Sequence, residues 1–105
     1  MSKVQELQPE EVTEVIGTGS WVVDFFATWC GPCQMMAPVL EDAATDWEGV
    51  QVVKVDTEHA NDLAEKMNVM SLPTIVFFKD GKEVSRVIGV VDKEELNRHV
   101  KKISS

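Results

Sequence analysis

Apolar stretches with hardly a polar residue alternate along this chain with stretches in which charged and apolar positions mix. Residues 21–27 read Trp-Val-Val-Asp-Phe-Phe-Ala, apolar at every position but Asp24, as expected of a strand buried on both faces. Residues 50–56 form a second such run, largely apolar and rich in valine, and residues 74–78 a third. Lys79-Asp80-Gly81-Lys82 then carries a two-residue hairpin signal, so residues 83–88 are the expected antiparallel partner. Between these runs lie helix signals. Gln8-Pro9-Glu10-Glu11 places proline at the first helical position and acids in the first turn, and Gly17-Thr18-Gly19-Ser20 ends that helix. A second helix is predicted from about residue 32 to 47, with Pro38 removing one hydrogen bond and kinking it. Residues 59–67 read as a short helix. Asp92 with Glu95 three residues on resembles a capping box and opens a last helix reaching about residue 103. This order predicts an α/β fold with a mixed sheet and helices on both faces.

At 105 residues the chain is the length of one domain, spanning residues 1–105. The net charge of -8 repels phosphate backbones and anionic head groups, so neither nucleic acid nor a membrane surface is an expected partner. No apolar run approaches the ~20 residues of a membrane span. The first residues lack the apolar core of a signal peptide, which gives a cytoplasmic expectation.

That expectation changes how the two cysteines read. In a reducing compartment, Cys30 and Cys33 are more naturally a catalytic or metal-binding pair than a staple. Cys30 lies just past the carboxyl end of a buried strand, where a helix starts. Free backbone N–H groups and the helix dipole there favour thiolate over thiol. Cys33, one turn further in, is expected to be more buried and to hold its proton more tightly. The asymmetry makes Cys30 the attacking sulfur and Cys33 the one that resolves the mixed disulfide. Two other readings stand beside this one. A structural bridge closing so short a loop contributes only about 2 kcal/mol. A metal half-site has two of the usual four ligands, and no second CxxC or HxxxH completes it.

The stretch Val23-Asp24-Phe25-Phe26-Ala27-Thr28-Trp29-Cys30-Gly31-Pro32-Cys33 closely resembles the active-site segment of thioredoxins. The resemblance continues through Ala37-Pro38, Lys54-Val55-Asp56, Leu72-Pro73-Thr74, Phe78-Lys79-Asp80-Gly81 and Gly89, in order and across essentially the whole chain. It implies a thioredoxin fold, a central mixed β-sheet flanked by four helices. It implies a protein-disulfide reductase whose redox group is the Cys30–Cys33 disulfide itself, with no cofactor and no metal. Its partners would be disulfide-containing substrate proteins and a thioredoxin reductase-type electron donor. The sequence gives no oligomeric state, and a monomer is the expectation.

Further roles follow from the same resemblance. Asp24 matches the buried acid that accepts a proton from the second cysteine, and burial raises its pKa. A structural carboxylate paired with Lys54 is the competing reading, and Lys54 is a supporting residue in either. Pro73 matches a cis-proline facing the disulfide, which keeps an N–H out of the site and leaves Leu72 free to pair with a substrate strand. The competing reading is an ordinary loop proline. Trp29, Gly31, Pro32, Leu72, Gly89 and Val90 map onto an apolar substrate-binding surface, although each singly could be plain packing. Met35, Met36, Met67 and Met70 read as core or rim filler. Departures from the common pattern are Phe26 for Trp, Gln34 where a cation is usual, Met70-Ser71 before Leu72, and Val90 for Ala.

Two rival functions remain. One is an oxidant or isomerase of the same fold, although Gly31-Pro32 is the pair typical of reducing members and no His stands beside Cys33. The other is a docking module with incidental redox chemistry, which would keep its activity after both cysteines are replaced by serine.

Overall fold

The computed structural model describes residues 3–59 and 61–104. Five strands run β1 (Val4–Glu6), β2 (Ser20–Phe26), β3 (Val50–Asp56), β4 (Thr74–Lys79) and β5 (Lys82–Ile88). They form one mixed sheet in the order β1-β3-β2-β4-β5. Both β1 and β2 pair with β3 in parallel, whereas β4 runs antiparallel to β2 and β5. Helices α1 (Pro9–Val15), α2 (Gly31–Ala44), α3 (Asn61–Lys66) and α4 (Lys93–Lys101) cover the sheet.

Alternation along the strands decides which helix goes where. Val22, Val52, Ile75 and Phe77 face one side and pack on Met36 and Leu40 of α2 and on Leu96 and Val100 of α4. Val23, Phe25, Val53, Val55 and Val76 face the other side, against Val12 of α1, Ile16 just beyond it, and Leu63 and Ala64 of α3. Lying between β3 and β4, β2 has Val22, Val23 and Phe25 wholly out of solvent. Each such side chain contributes about 2 kcal/mol of apolar burial. This middle strand carries the chain to Cys30.

Local signals act as their chemistry requires. Asp80 and Gly81 both have positive φ, 49° and 84°, the backbone of a type I′ turn that matches the twist of β4 and β5. Asp80 also ties the turn to the loop before β2: its Oδ1 accepts the Gly19 N–H at 2.8 Å and its own N–H donates to Gly19 O at 2.9 Å. Glu11 accepts the Gln8 N–H at 2.8 Å and closes the start of α1 behind Pro9. Asp92 accepts the Glu95 N–H at 2.9 Å at the start of α4. The capping box is only half made, because the Glu95 carboxylate turns to Arg98 and His99 instead.

Three elements differ from the sequence expectation. The strand β1 was not foreseen. It has three residues with only Val4 buried, too short to show alternation, and it exists through its register with β3 (Val4 with Val52, Glu6 with Lys54). Helix α2 continues through Pro38 but ends at Ala44, three residues early; beyond it the Trp47 N–H reaches only Ala44 O, at 3.2 Å. The Trp47 indole donates to Asn97 Oδ1 at 2.7 Å instead, fastening this end to α4. Helix α3 is shorter than the predicted 59–67, and Ala60 lies outside the described residues.

These contacts set an order of stability losses. Phe77→Ala should destabilise the oxidised protein by about 3–5 kcal/mol, and Asp92→Ala by about 1 kcal/mol. Urea unfolding reads both: the midpoints fall in that order while the slope with urea stays constant.

Candidate active site

At its carboxyl end β2 releases the chain into a tight turn. The Cys30 N–H donates to Ala27 O at 3.2 Å, and Cys30 becomes the N-cap of α2, with φ -84° and ψ 109°. The first N–H groups of a helix have no partner within it. Here the Cys33 N–H is directed at Cys30 Sγ, 3.2 Å away. On reduction, that contact and the dipole of α2 stabilise a thiolate at Cys30. The two cysteines are joined as a disulfide.

The expected difference in burial between them is absent. Cys30 is 4% exposed and Cys33 6%, since the turn that makes Cys30 an N-cap also tucks it under Leu72 and Ala27. What separates them is the space each borders. Cys30 lines an open groove of about 610 Å3 together with Trp29, Gly31, Pro32 and Leu72. Cys33 lines a second cavity of about 250 Å3, shared with Asp24, Phe26, Gln34 and Lys54.

Asp24 is 5% exposed, and its Oδ1 has no hydrogen-bond partner among the described residues. Burial pushes the carboxyl up to about 7, partly offset by the positive charge of Lys54. Lys54 is the direct register partner of Asp24 on β3, yet no ion pair among the described residues joins them. Its ammonium lies over the Phe26 ring, 5.4 Å from the centroid. The pairing of Asp24 with Lys54 expected of a structural carboxylate is therefore not a direct ion pair: the lysine acts on the acid through space. Gln34 crosses the rim of the same cavity and donates to Thr28 O at 3.1 Å.

Other expected site residues fall close by, but not all on the groove. The Leu72–Pro73 peptide bond is cis, and Pro73 is buried. Pro73 O accepts the Gly89 N–H at 2.9 Å. Gly89 has φ 86°, in the left-handed region that favours glycine, and Val90 beyond it is half exposed. Neither Gly89 nor Val90 lines the groove. The methionines divide: Met36 is fully buried and Met67 packs on the α1–α3 side, whereas Met35 is exposed and Met70, 93% exposed, stands at the groove mouth.

Of the opposite wall of the groove, only Met70 and Ser71 drew notice in the sequence, Met70 as core or rim filler. That wall is built by Thr57, Glu58, Asn61, Ala64, Val69, Met70 and Ser71. The usable signal was topological. If β3 is parallel to β2, the segments after their carboxyl ends emerge at the same edge of the sheet, where open α/β sheets place their sites. Thr57 is held there by its N–H and hydroxyl, both donating to Phe26 O, at 2.8 and 3.1 Å. Among the described residues no group of three or more His, Cys, Asp or Glu side chains is placed to hold a metal ion. Nor is any helix among them long and apolar enough to cross a membrane.

Comparison with known proteins agrees with this geometry. Residues 3–102 match the family model described as thioredoxin. A thioredoxin of Chlamydia trachomatis is 43% identical, over 94% of this chain and 97% of its own. One from Staphylococcus aureus is 49% identical, over 77% of this chain and 79% of its own. Among solved structures, a thioredoxin from Nicotiana alata superposes with a TM-score of 0.90 at 34% identity, covering 99% of this chain and 95% of that one. A vicinal cysteine pair at the head of α2, in a fold and sequence matched from end to end, makes this chain a member of the thioredoxin family and a thiol–disulfide oxidoreductase.

Proposed function

We propose that this protein reduces disulfides of other proteins, with Cys30 as nucleophile and Cys33 as resolving thiol. The observation that carries the assignment is the Cys33 N–H on Cys30 Sγ, at the open groove and at the positive end of α2. The Cys30 thiolate attacks one sulfur of a substrate disulfide. The other substrate sulfur leaves as a thiolate and takes a proton from water, giving a mixed disulfide. Cys33 then gives its proton to the Asp24 carboxylate across their shared cavity and attacks Cys30 Sγ. The second substrate sulfur leaves as a thiolate, which takes a proton from water, and the Cys30–Cys33 disulfide forms, so two electrons have moved to the substrate. No other group in the chain has to change oxidation state, which is why the reaction needs no cofactor and no metal. Return to the dithiol requires an external dithiol donor of the thioredoxin-reductase type.

Gly31-Pro32 between the cysteines and the absence of His beside Cys33 favour the reducing direction over the oxidant or isomerase reading. In the same reading the chain works as one domain and as a monomer in the cytoplasm, passing electrons from its donor to its substrates. Trp29, Gly31, Pro32 and Leu72 form the apolar floor on which an extended substrate lies, with Pro73 shaping it and Gly89 and Val90 extending it to one side. Lys54 keeps Asp24 from holding its proton still more tightly.

Two outcomes are expected. With a peptide disulfide as substrate, Cys33→Ser should accumulate a mixed disulfide visible as an added mass on the intact protein. Cys30→Ser should accumulate none, and the reverse pattern would interchange the two roles. The second outcome concerns Asp24. Its carboxyl titrates near 7 in the fold, against 3.8 for the ordinary side chain. Between those values the folded protein holds a proton that the unfolded chain has released. Stability therefore falls as pH rises through that window, by on the order of 4 kcal/mol. Asp24→Asn should remove this difference, so that the gap between its urea midpoint and that of the wild type widens from pH 4 to pH 8. The same variant should slow the resolving step by about 100-fold near neutrality, read by stopped-flow single turnover. An unchanged rate and pH dependence would remove Asp24 from the proton path.

A further inference from the structure

We propose that Glu58 sets the substrate preference of the groove, favouring disulfides whose cysteine lies beside a lysine or arginine in an extended segment. The proposal rests on the disulfide-reductase reading and names the class of substrate for that same site. Among the described residues that line the groove of about 610 Å3, Glu58 is the only one with a charged side chain. The rest of the wall is apolar or neutral, from Trp29 and Leu72 on the disulfide side to Val69 and Met70 opposite. No lysine or arginine among the described residues lining the groove answers the carboxylate.

Its place is held from two directions. The Glu58 N–H donates to Asp56 Oδ1 at 2.9 Å, which fixes the turn after β3, and Thr28 Oγ1 donates to Glu58 Oε1 at 3.4 Å from the turn before Cys30. The carboxylate thus belongs to the same rim as the reactive sulfur. Glu58 and Asn61 also border an adjoining cavity of about 320 Å3, where Glu10 and Asp62 add two further acids. A substrate chain leaving the groove on this side meets mainly negative charge.

The net charge of -8 draws in any cationic partner, but salt screens that field within about 8 Å at physiological ionic strength. A single carboxylate on the wall of the same groove does something different. It distinguishes substrates by where their charge stands relative to the cysteine, with the modest strength of a pairing made by an exposed carboxylate. An acidic residue at the same substrate position is disfavoured for the same reason.

The test uses reduced protein and a set of peptide disulfides identical except for Lys, Gln or Glu at successive positions on each side of the cysteine. Rates are measured at low and high salt and normalised to the Gln peptide. The wild type should reduce the Lys peptide about fivefold faster than the Glu peptide at the best position, and less selectively in high salt. Glu58→Gln should bring that ratio towards one, and Glu58→Lys should invert it. Glu94→Gln, the same charge change on α4 across the sheet, should keep the wild-type ratio. Equal ratios in wild type and Glu58→Gln, or an equal loss in Glu94→Gln, would overturn the assignment of selectivity to Glu58 while leaving the reductase reading intact. Failure to reduce any peptide would overturn both.

Discussion

The working end of this protein depends on the junction at which a buried strand becomes a helix. Strand β2 lies between β3 and β4, with Val22, Val23 and Phe25 out of solvent, so the position at which the chain emerges is set by the core. Helix α2 is held by Met36 and Leu40 packing on the sheet and by Trp47 bonding to Asn97. With both partners fixed, the intervening turn has little choice, and Cys30 falls at the N-cap with Cys33 one turn in. The helix start needs an acceptor for its free N–H groups, and a reactive sulfur needs donors. One contact, from the Cys33 N–H to Cys30 Sγ, meets both needs.

That junction also separates two environments that a dithiol reductant needs. On one side, Cys30 borders a broad groove through which another protein can approach. On the other, Cys33 borders a smaller cavity containing a buried acid whose Oδ1 has no partner among the described residues. A buried, unpaired carboxylate is costly, and the cost appears as a pKa pushed up to about 7. The group is placed to accept a proton close to neutral pH, where a carboxyl in water would already be fully ionised. Stability is given up locally at a carboxyl that shares a cavity with Cys33, and in the proposed mechanism this acid is the proton acceptor, a trade recurrent at functional sites.

Much of this was legible along the chain, and for reasons that can be stated. The run from Trp21 to Ala27 with one acid in it could only be a buried strand. Asp80-Gly81 specified its turn because both positions need positive φ. Asp92 announced a helix because its side chain fits the Glu95 N–H. Other features depend on contacts between segments far apart in sequence. The strand β1 exists only through pairing with β3. The equal burial of Cys30 and Cys33 depends on Leu72, which lies far along the chain beyond α3. The groove wall at Thr57, Glu58 and Asn61 depends on the parallel pairing of β2 with β3. Lys54 was correctly placed next to Asp24 by register, but its preference for the Phe26 ring over the carboxylate is a matter of side-chain geometry that spacing does not encode.

The central claim is that the pair Cys30–Cys33 is a reversible two-electron couple that favours giving electrons away. Equilibrating the protein across a ladder of dithiol/disulfide buffers, then alkylating free thiols and counting them by mass, measures this directly. The account predicts a single transition in which both thiols appear together, at a strongly reducing potential, with a slope of about 30 mV per tenfold change in ratio. A transition at a clearly oxidising potential would contradict it and favour an oxidant or isomerase, and no reversible transition would leave the fold serving some purpose other than disulfide exchange.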